Sequence, residues 1–329
     1  MALAVLIFAF VQSAWAAKPE LRFRADGTFK IVSFSDTQDD ETLDPRTTAL
    51  MERILDAEKP DFVVIIGDCI AGGACATIDE VKQAITQVAH PMEKRKIPWA
   101  IVFGNHDMEH YGKTKWGKEG VIDFYASFPC NLNVRGPERI HGVGNAHLLV
   151  KGSKTDSPVF NIWLIDSGMY APARIGGYDW IHADQVNWYY NTSKALQSRY
   201  GRKIPGLMFF HIPIHEFTDM AKAGKIVGDR LEGEGSSKIH SAIFASVLER
   251  GDVKGIFCGH EHINSFVGEW KGIRLGYGAS AGFADYNLPD NDPRVNRTRG
   301  GRVYLIKESD PWTFTTWMRF TDNTTGERF

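Results

Sequence analysis

Asp36, Asp68, Asn105, His106, His211, His260 and His262 share one trait: each stands at or just past the end of an apolar run. Phe29–Ser35 leads into Asp36, Phe62–Ile66 into Gly67-Asp68, and Trp99–Phe103 into Gly104-Asn105-His106-Asp107. Gly206–Phe210 leads into His211, and Lys254–Cys258 into Gly259-His260-Glu261-His262. Carboxylate, amide and imidazole groups are donor types that hold metal ions. Buried strands do not hand off to such groups repeatedly unless the groups converge on something charged, because burying them unpaired is costly. The flanking glycines let the backbone turn sharply where a side chain must be aimed. Taken singly these motifs are weak, since Gly-Asp and Gly-x-His arise by chance. The ordered set, each member at a strand end, is the signal.

The elements that must position these residues are legible in the hydrophobic pattern. Phe29–Ser35 alternates as a strand, and Leu50, Ile54 and Leu55 recur at helical spacing within Thr47–Lys59. Phe62–Ile66 is an unbroken apolar run, the mark of a strand covered on both faces. Ile78–Lys96 is a second helix and Trp99–Phe103 a third strand. This order implies a parallel sheet with right-handed crossovers. Tyr111–Asn145 is expected to be long connections with one short helix at most, and Lys222–Lys238 a mobile loop. Strands at Ala146–Lys151, Val159–Ile165 and Gly206–Phe210 and a helix at Ala183–Tyr200 open the second half. A helix at Ile239–Arg250, a strand at Lys254–Cys258 and a hairpin around Lys271-Gly272 continue it, with strands at Arg302–Ile306 and Thr313–Arg319 at its end. The simplest architecture is an α/β fold, a four-layer α-β-β-α sandwich of two mixed sheets flanked by helices. No linker divides residues 17–329, which are expected to form one domain. In open α/β sheets, ligands bind outside the carboxyl ends of the strands.

The series Asp36-Thr37-Gln38, Gly67-Asp68, Gly104-Asn105-His106-Asp107, His211 and Gly259-His260-Glu261-His262 resembles the signature of the calcineurin-like metallophosphoesterases, D-x-H, G-D, G-N-H-[DE], H and G-H-x-H. The resemblance implies one metal held by Asp36, Asp68 and His262 with Gln38 beside it, and a second held by Asp68, Asn105, His211 and His260. Two cations roughly 3.5–4 Å apart would clamp a phosphoryl group and supply hydroxide to attack phosphorus. His106 would be catalytic without being a ligand. Asp107 would orient it, or alternatively cap a helix. Leu21-Arg-Phe-Arg, Asp166-Ser-Gly, Gly177-Tyr-Asp-Trp-Ile, Phe210-His-Ile-Pro and Gly251-Asp-Val-Lys are similar to the purple-acid-phosphatase-like and Dcr2-type branch, some plant members of which carry the label inactive. Two positions depart from the pattern. Gln38 stands where the family usually has His, which should weaken the first site or favour harder ions such as manganese, magnesium or iron over zinc. Ala71 stands where purple acid phosphatases have Tyr, so no purple colour is expected.

The resemblance therefore implies a two-metal phosphoesterase, with monoesters slightly ahead of diesters. The alternative is an inactive metal-binding scaffold whose first site has decayed at Gln38. The formal net charge of −2 over 329 residues leaves no basic field for nucleic acid. A small phosphate ester is the expected partner. Met1–Phe10 is apolar and leads to Ala14 and Ala16, the small-x-small pattern of a cleaved signal, so residues 1–16 are expected to be removed on export, to a periplasm or outside the cell, without lasting membrane insertion. Cys69 and Cys75 could close a short loop, and free buried thiols are equally compatible with a core this large.

Overall fold

The computed structural model describes residues 18–42 and 44–329. The segment expected to be a cleaved signal, 1–16, lies outside them. β1 (Thr28–Phe34) leads through α1 (Pro45–Glu58) to β2 (Phe62–Ile66), then through α2 (Ile78–Arg95) to β3 (Trp99–Val102). α3 (Tyr111–Thr114) and α4 (Lys118–Ser127) follow, two helices where the sequence suggested one at most. Next come β4 (Ala146–Lys151), β5 (Pro158–Leu164), α5 (Ala183–Tyr200), β6 (Gly206–Phe209), α6 (His215–Lys222) and β7 (Ile226–Val227). α7 (Ile243–Arg250), β8 (Val253–Cys258), β9 (Val267–Trp270), β10 (Ile273–Tyr277), β11 (Gly300–Lys307) and β12 (Asp310–Phe320) complete the chain.

The strands form two mixed sheets, ordered β12-β11-β1-β2-β3 and β4-β5-β6-β8-β10-β9-β7. β2 shows why the apolar runs are unbroken. Its alternate residues Val63 and Ile65 face a core shared with α1, α2 and α4, while Phe62, Val64 and Ile66 face the opposite sheet. In the second sheet Leu207 and Phe209 face inward and Met208 faces the core under α5 and α7. With both sides of the pleat covered, no position on these strands tolerates a polar residue. Each fully buried Val, Ile or Phe contributes about 1.5–3 kcal/mol. The result is the expected α-β-β-α sandwich.

Local signals fix the first crossovers. The Asp44 side chain accepts from Arg46 N ahead of Pro45, and Lys59 closes α1 in the left-handed conformation. Thr77 and Glu80 form a capping box at the start of α2.

Three expectations need correction. The last two strands do not extend the second half: β11 pairs antiparallel with β1, and β12 closes the first sheet. The segment expected to be a mobile loop, Lys222–Lys238, is pinned to the turn after β8. Leu231 N donates to Asn264 Oδ1 at 2.8 Å, Ile263 N to Glu232 Oε1 at 2.8 Å, and Gly235 N to Glu261 Oε1 at 2.5 Å. α7 begins at Ile243, not Ile239. All four cysteines are free.

Candidate metal centre

The carboxyl ends of β1 and β2 from one sheet meet those of β6 and β8 from the other. The turns after β1 and β2 run side by side, with Asp36 N donating to Gly67 O at 3.1 Å and Gln38 N to Asp68 O at 3.0 Å. Asp36, Gln38, Asp68 and His260 all adopt positive φ, between 38° and 79°. That conformation is uncommon outside glycine, with Asp and His among the residues that enter it most readily, and it reverses the backbone abruptly at each strand end.

The side chains converge. Asp36, Asp68 and His211 are fully or almost fully buried. His211 Nδ1 faces Ile66 O at 2.8 Å, which leaves Nε2 directed at the carboxylates, 3.0 Å from Asp68 Oδ2 and 3.9 Å from Asp36 Oδ1. The His260 backbone N donates to both Asp36 oxygens at 3.2 Å. His262 Nε2 lies 3.5 Å from Asp36 Oδ1, and its ring stacks on Tyr286 with centroids 4.3 Å apart.

These residues fit a cation. Asp68 Oδ2 and His211 Nε2 are close but lack hydrogen-bond alignment, and both are buried without a partner, as are Asn105 Oδ1 and Gln38 Oε1. Such orphaned atoms require an explanation, and a shared metal supplies one. Asp68, His211 and His260 each offer a ligand atom within 4.8 Å of the others, the one such group among the described residues. Electrostatics agree. Burial, reinforced by neighbouring His211, pushes the His260 imidazole down to about 3, so it is neutral and able to ligate. Burial also disfavours charge on His211, but Asp68 and Asp36 outweigh it and raise that imidazole to about 10. Burial holds the Asp36 carboxyl above the ordinary aspartate range, against the pull of His262 and His211. Two buried carboxylates beside one imidazole make a pocket that wants positive charge.

Three of the four residues expected to hold the second metal, Asp68, His211 and His260, thus lie close together, and the fourth, Asn105, contributes a buried oxygen without a partner. The first-metal set is more open, resting on Asp36, Asp68 and His262 with the buried amide of Gln38. Gln38 is brought into the same turn, with its oxygen free.

His106 sits at the edge of the cluster, partly exposed. Its backbone N donates to Asp68 Oδ1 at 2.7 Å, and its Nδ1 meets Glu109 Oε2 at 3.0 Å. Burial disfavours the charged imidazole, but Asp68 and Glu109 outweigh it and hold the pKa above the ordinary histidine value. The expectation that Asp107 orients His106 or caps a helix is not met. The Asp107 carboxylate accepts from Cys69 N at 2.8 Å, Ile70 N at 3.2 Å and Gly104 N at 2.7 Å. It clamps the turns after β2 and β3 together through these three amides, and the His106 ring is not among its hydrogen-bond partners. The residue in the orienting position is Glu109, which the sequence reading missed. Its spacing of three residues from His106 in a turn was the available signal. Glu109 Oε1 also accepts from Tyr170 OH at 2.7 Å, and Tyr170 OH accepts from Asn105 Nδ2 at 3.4 Å. Tyr170 and Tyr286 line the rim unannounced by any motif, whereas Tyr178, its ring edge-on to His260 at 4.2 Å, falls within the Gly177–Ile181 stretch of the resemblance.

A sequence profile described as calcineurin-like phosphoesterase matches residues 29–264. The chain belongs to the calcineurin-like metallophosphoesterases. This metallophosphoesterase is 33% identical to the "Probable inactive purple acid phosphatase 29" of Arabidopsis thaliana, over 91% of its own length and 85% of the relative's. It is 29% identical to Phosphatase DCR2 of Saccharomyces cerevisiae, over 73% of its length and 45% of that protein's. Among solved structures it superposes on a dimetal phosphatase from Danio rerio with a TM-score of 0.58 and 14% identity, covering 92% of this chain and 98% of that one. That likeness speaks to the fold.

Proposed function

We propose that this metallophosphoesterase is an exported two-metal phosphoesterase that prefers phosphomonoesters. The observation that carries the reading is the convergence of Asp68, His211 and His260 with orphaned ligand atoms, beside a His106 that is held but not consumed by the cluster. Asp36, Asp68 and His262, with Gln38, would hold one cation; Asp68, Asn105, His211 and His260 would hold the other. When bound, such a pair neutralises phosphoryl oxygens and makes water nucleophilic at neutral pH. Gln38, an oxygen donor, favours manganese or iron at the first position.

The protein's own groups do the rest. Asp68 fixes the His106 backbone through Oδ1 while its other oxygen serves the cluster. Glu109 holds Nδ1 of His106, which leaves Nε2 for the substrate. In hydrolysis the water oxygen bonds to phosphorus and the bond from phosphorus to the alcohol oxygen breaks. His106 delivers a proton to that oxygen, and the proton lost by water restores the balance.

Export rests on the Ala14 and Ala16 pattern; a mature N-terminus at Ala17, read by mass spectrometry of protein from the native host, would support it. A second reading, a metal-binding scaffold without turnover, is favoured by Gln38 and by the label carried by the Arabidopsis relative. Metal analysis of the purified protein, coupled to hydrolysis of an aryl phosphate and a bis-aryl phosphate with added Mn²⁺, separates the two. Two equivalents of metal with faster monoester turnover supports the enzyme. One equivalent or none, without turnover, supports the scaffold.

A further inference from the structure

A cavity of about 460 Å³ opens beside the metal centre, and none of the metal ligands lines it. Its size is that of a small-molecule site. Tyr170 forms the shared wall: the residue lines the cavity, and its hydroxyl bonds Asn105 and Glu109 on the catalytic side. The floor is Asp166, just past the end of β5; its neighbour Ser167 accepts from Ile212 N at 3.0 Å, next to His211. A group attached to a phosphate at the centre therefore has this cavity as adjoining space.

The wall chemistry restricts what that group is. Lys118 is the one ammonium in the lining, and Asp166 neutralises it with contacts at 2.6 and 2.9 Å. Glu119 and Asp179 add two carboxylates, the second paired with His182 at 3.1 Å, and no further Lys or Arg lies among the lining residues, so a second anionic group would find no unpaired lysine or arginine to receive it. The lining also holds a pile of flat rings: Trp180 on His182 at 4.4 Å, and His182 on His141 at 3.8 Å. Ile140 adds apolar surface. Rings on such a wall are satisfied by another ring or by apolar contact.

We propose that this cavity holds the alcohol portion of the substrate, and that the substrate is the phosphate monoester of an uncharged alcohol bearing an aromatic ring. The assignment rests on the phosphoesterase reading of the neighbouring centre. It makes Trp180 and Tyr170 specificity residues, and it leaves phosphorylated or carboxylated alcohols as poor substrates.

The test compares 2-phenylethyl phosphate with ethyl phosphate, whose leaving groups are similarly basic, using the metal-loaded full protein. The ring should raise kcat/KM by about tenfold or more, the scale of filling an apolar pocket, and a para-carboxylate on the ring should abolish the gain. Ile140→Trp, which fills the cavity from a half-buried loop position, and Trp180→Ala, which strips its wall, should each bring the ratio toward one. Equal kcat/KM in the unaltered protein, or a gain that survives both substitutions, overturns the proposal. Calorimetric titration of metal-free protein with 2-naphthylethanol reads the cavity without catalysis. Binding that Ile140→Trp removes, in a protein that hydrolyses neither ester, upholds the alcohol site and sinks the phosphoesterase reading; hydrolysis without ring preference does the reverse.

Discussion

The two oxygens of Asp68 have separate duties: Oδ1 accepts from His106 N and Oδ2 stands unpaired beside His211 Nε2. Asp68→Asn replaces half of that carboxylate with an amide and removes a charge that both proposed cation sites would share. The expected outcome is loss of both metals and nearly all activity, read by elemental analysis alongside turnover. His106→Ala touches no ligand side chain. Metal content should stay intact while kcat falls by roughly a hundredfold or more, the range of lost acid–base assistance; loss of metal instead would reassign His106 to the ligand set. Gln38→His should tighten the first site and shift its preference toward zinc, measured by competition between Zn²⁺ and Mn²⁺. At this scale the candidate ligands were readable because they stand where the apolar pattern of each strand ends. The partner of His106 was not. Asp107 is its chain neighbour, but the turn sends that carboxylate into three backbone amides, and only the folded turn brings Glu109 back to the imidazole.

Elements hold the site through the short turns at strand ends. Gly67 joins β2 to Asp68 at a φ of 77°, and a Cβ there would lie 2.5 Å from His211 Nδ1, the nitrogen that faces Ile66 O. Gly67→Ala should therefore push the imidazole off its seat. We expect metal content and activity to fall at least tenfold, while the melting temperature drops only by the amount expected for about 1–2 kcal/mol of left-handed strain. Circular dichroism would show the sheets retained. β2, β4 and α5 were legible because burial on a fixed face, or on both, imposes a period on the sequence. α6 was not read, although Phe217, Met220 and Ala221 are buried at helical spacing, because eight residues give too few turns for a pattern to stand out. The 222–238 segment misled for a different reason. Its glycines and charges suggest freedom, yet Glu232 and Gly235 are bonded to the turn that carries His260 and His262.

Across the whole molecule, the C-terminal strands return to the start of the chain. Glu58 at the end of α1 is 4% exposed and pairs with Arg319 of β12 at 2.5 Å and Lys30 of β1 at 3.2 Å, tying three distant segments together. Burial alone would raise the Glu58 pKa, but Arg319 and Lys30 outweigh it and hold the carboxyl below the ordinary glutamate value. A depressed folded pKa means the contribution is complete above the unfolded value of about 4.3 and lost as pH falls through the folded one. Glu58→Gln should cost about 2–3 kcal/mol at neutral pH, less than a fully buried pair because both cations keep 19% side-chain exposure. Denaturant melts of the two proteins should converge as pH drops below about 4. The sandwich could be inferred from alternation, but the return of β11 to β1 could not, since strand order depends on contacts that local periodicity does not encode. No helix among the described residues is long and apolar enough to cross a membrane.

Asp36, Gln38, Asp68 and His260 hold left-handed backbone conformations that glycine would adopt without strain. A directed-evolution campaign for heat resistance would thus find its easiest improvements at these four places, and every glycine it fixed there would delete a donor atom. Heat-hardened descendants of this protein should emerge as well-folded sandwiches stripped of the side chains proposed to hold the cations.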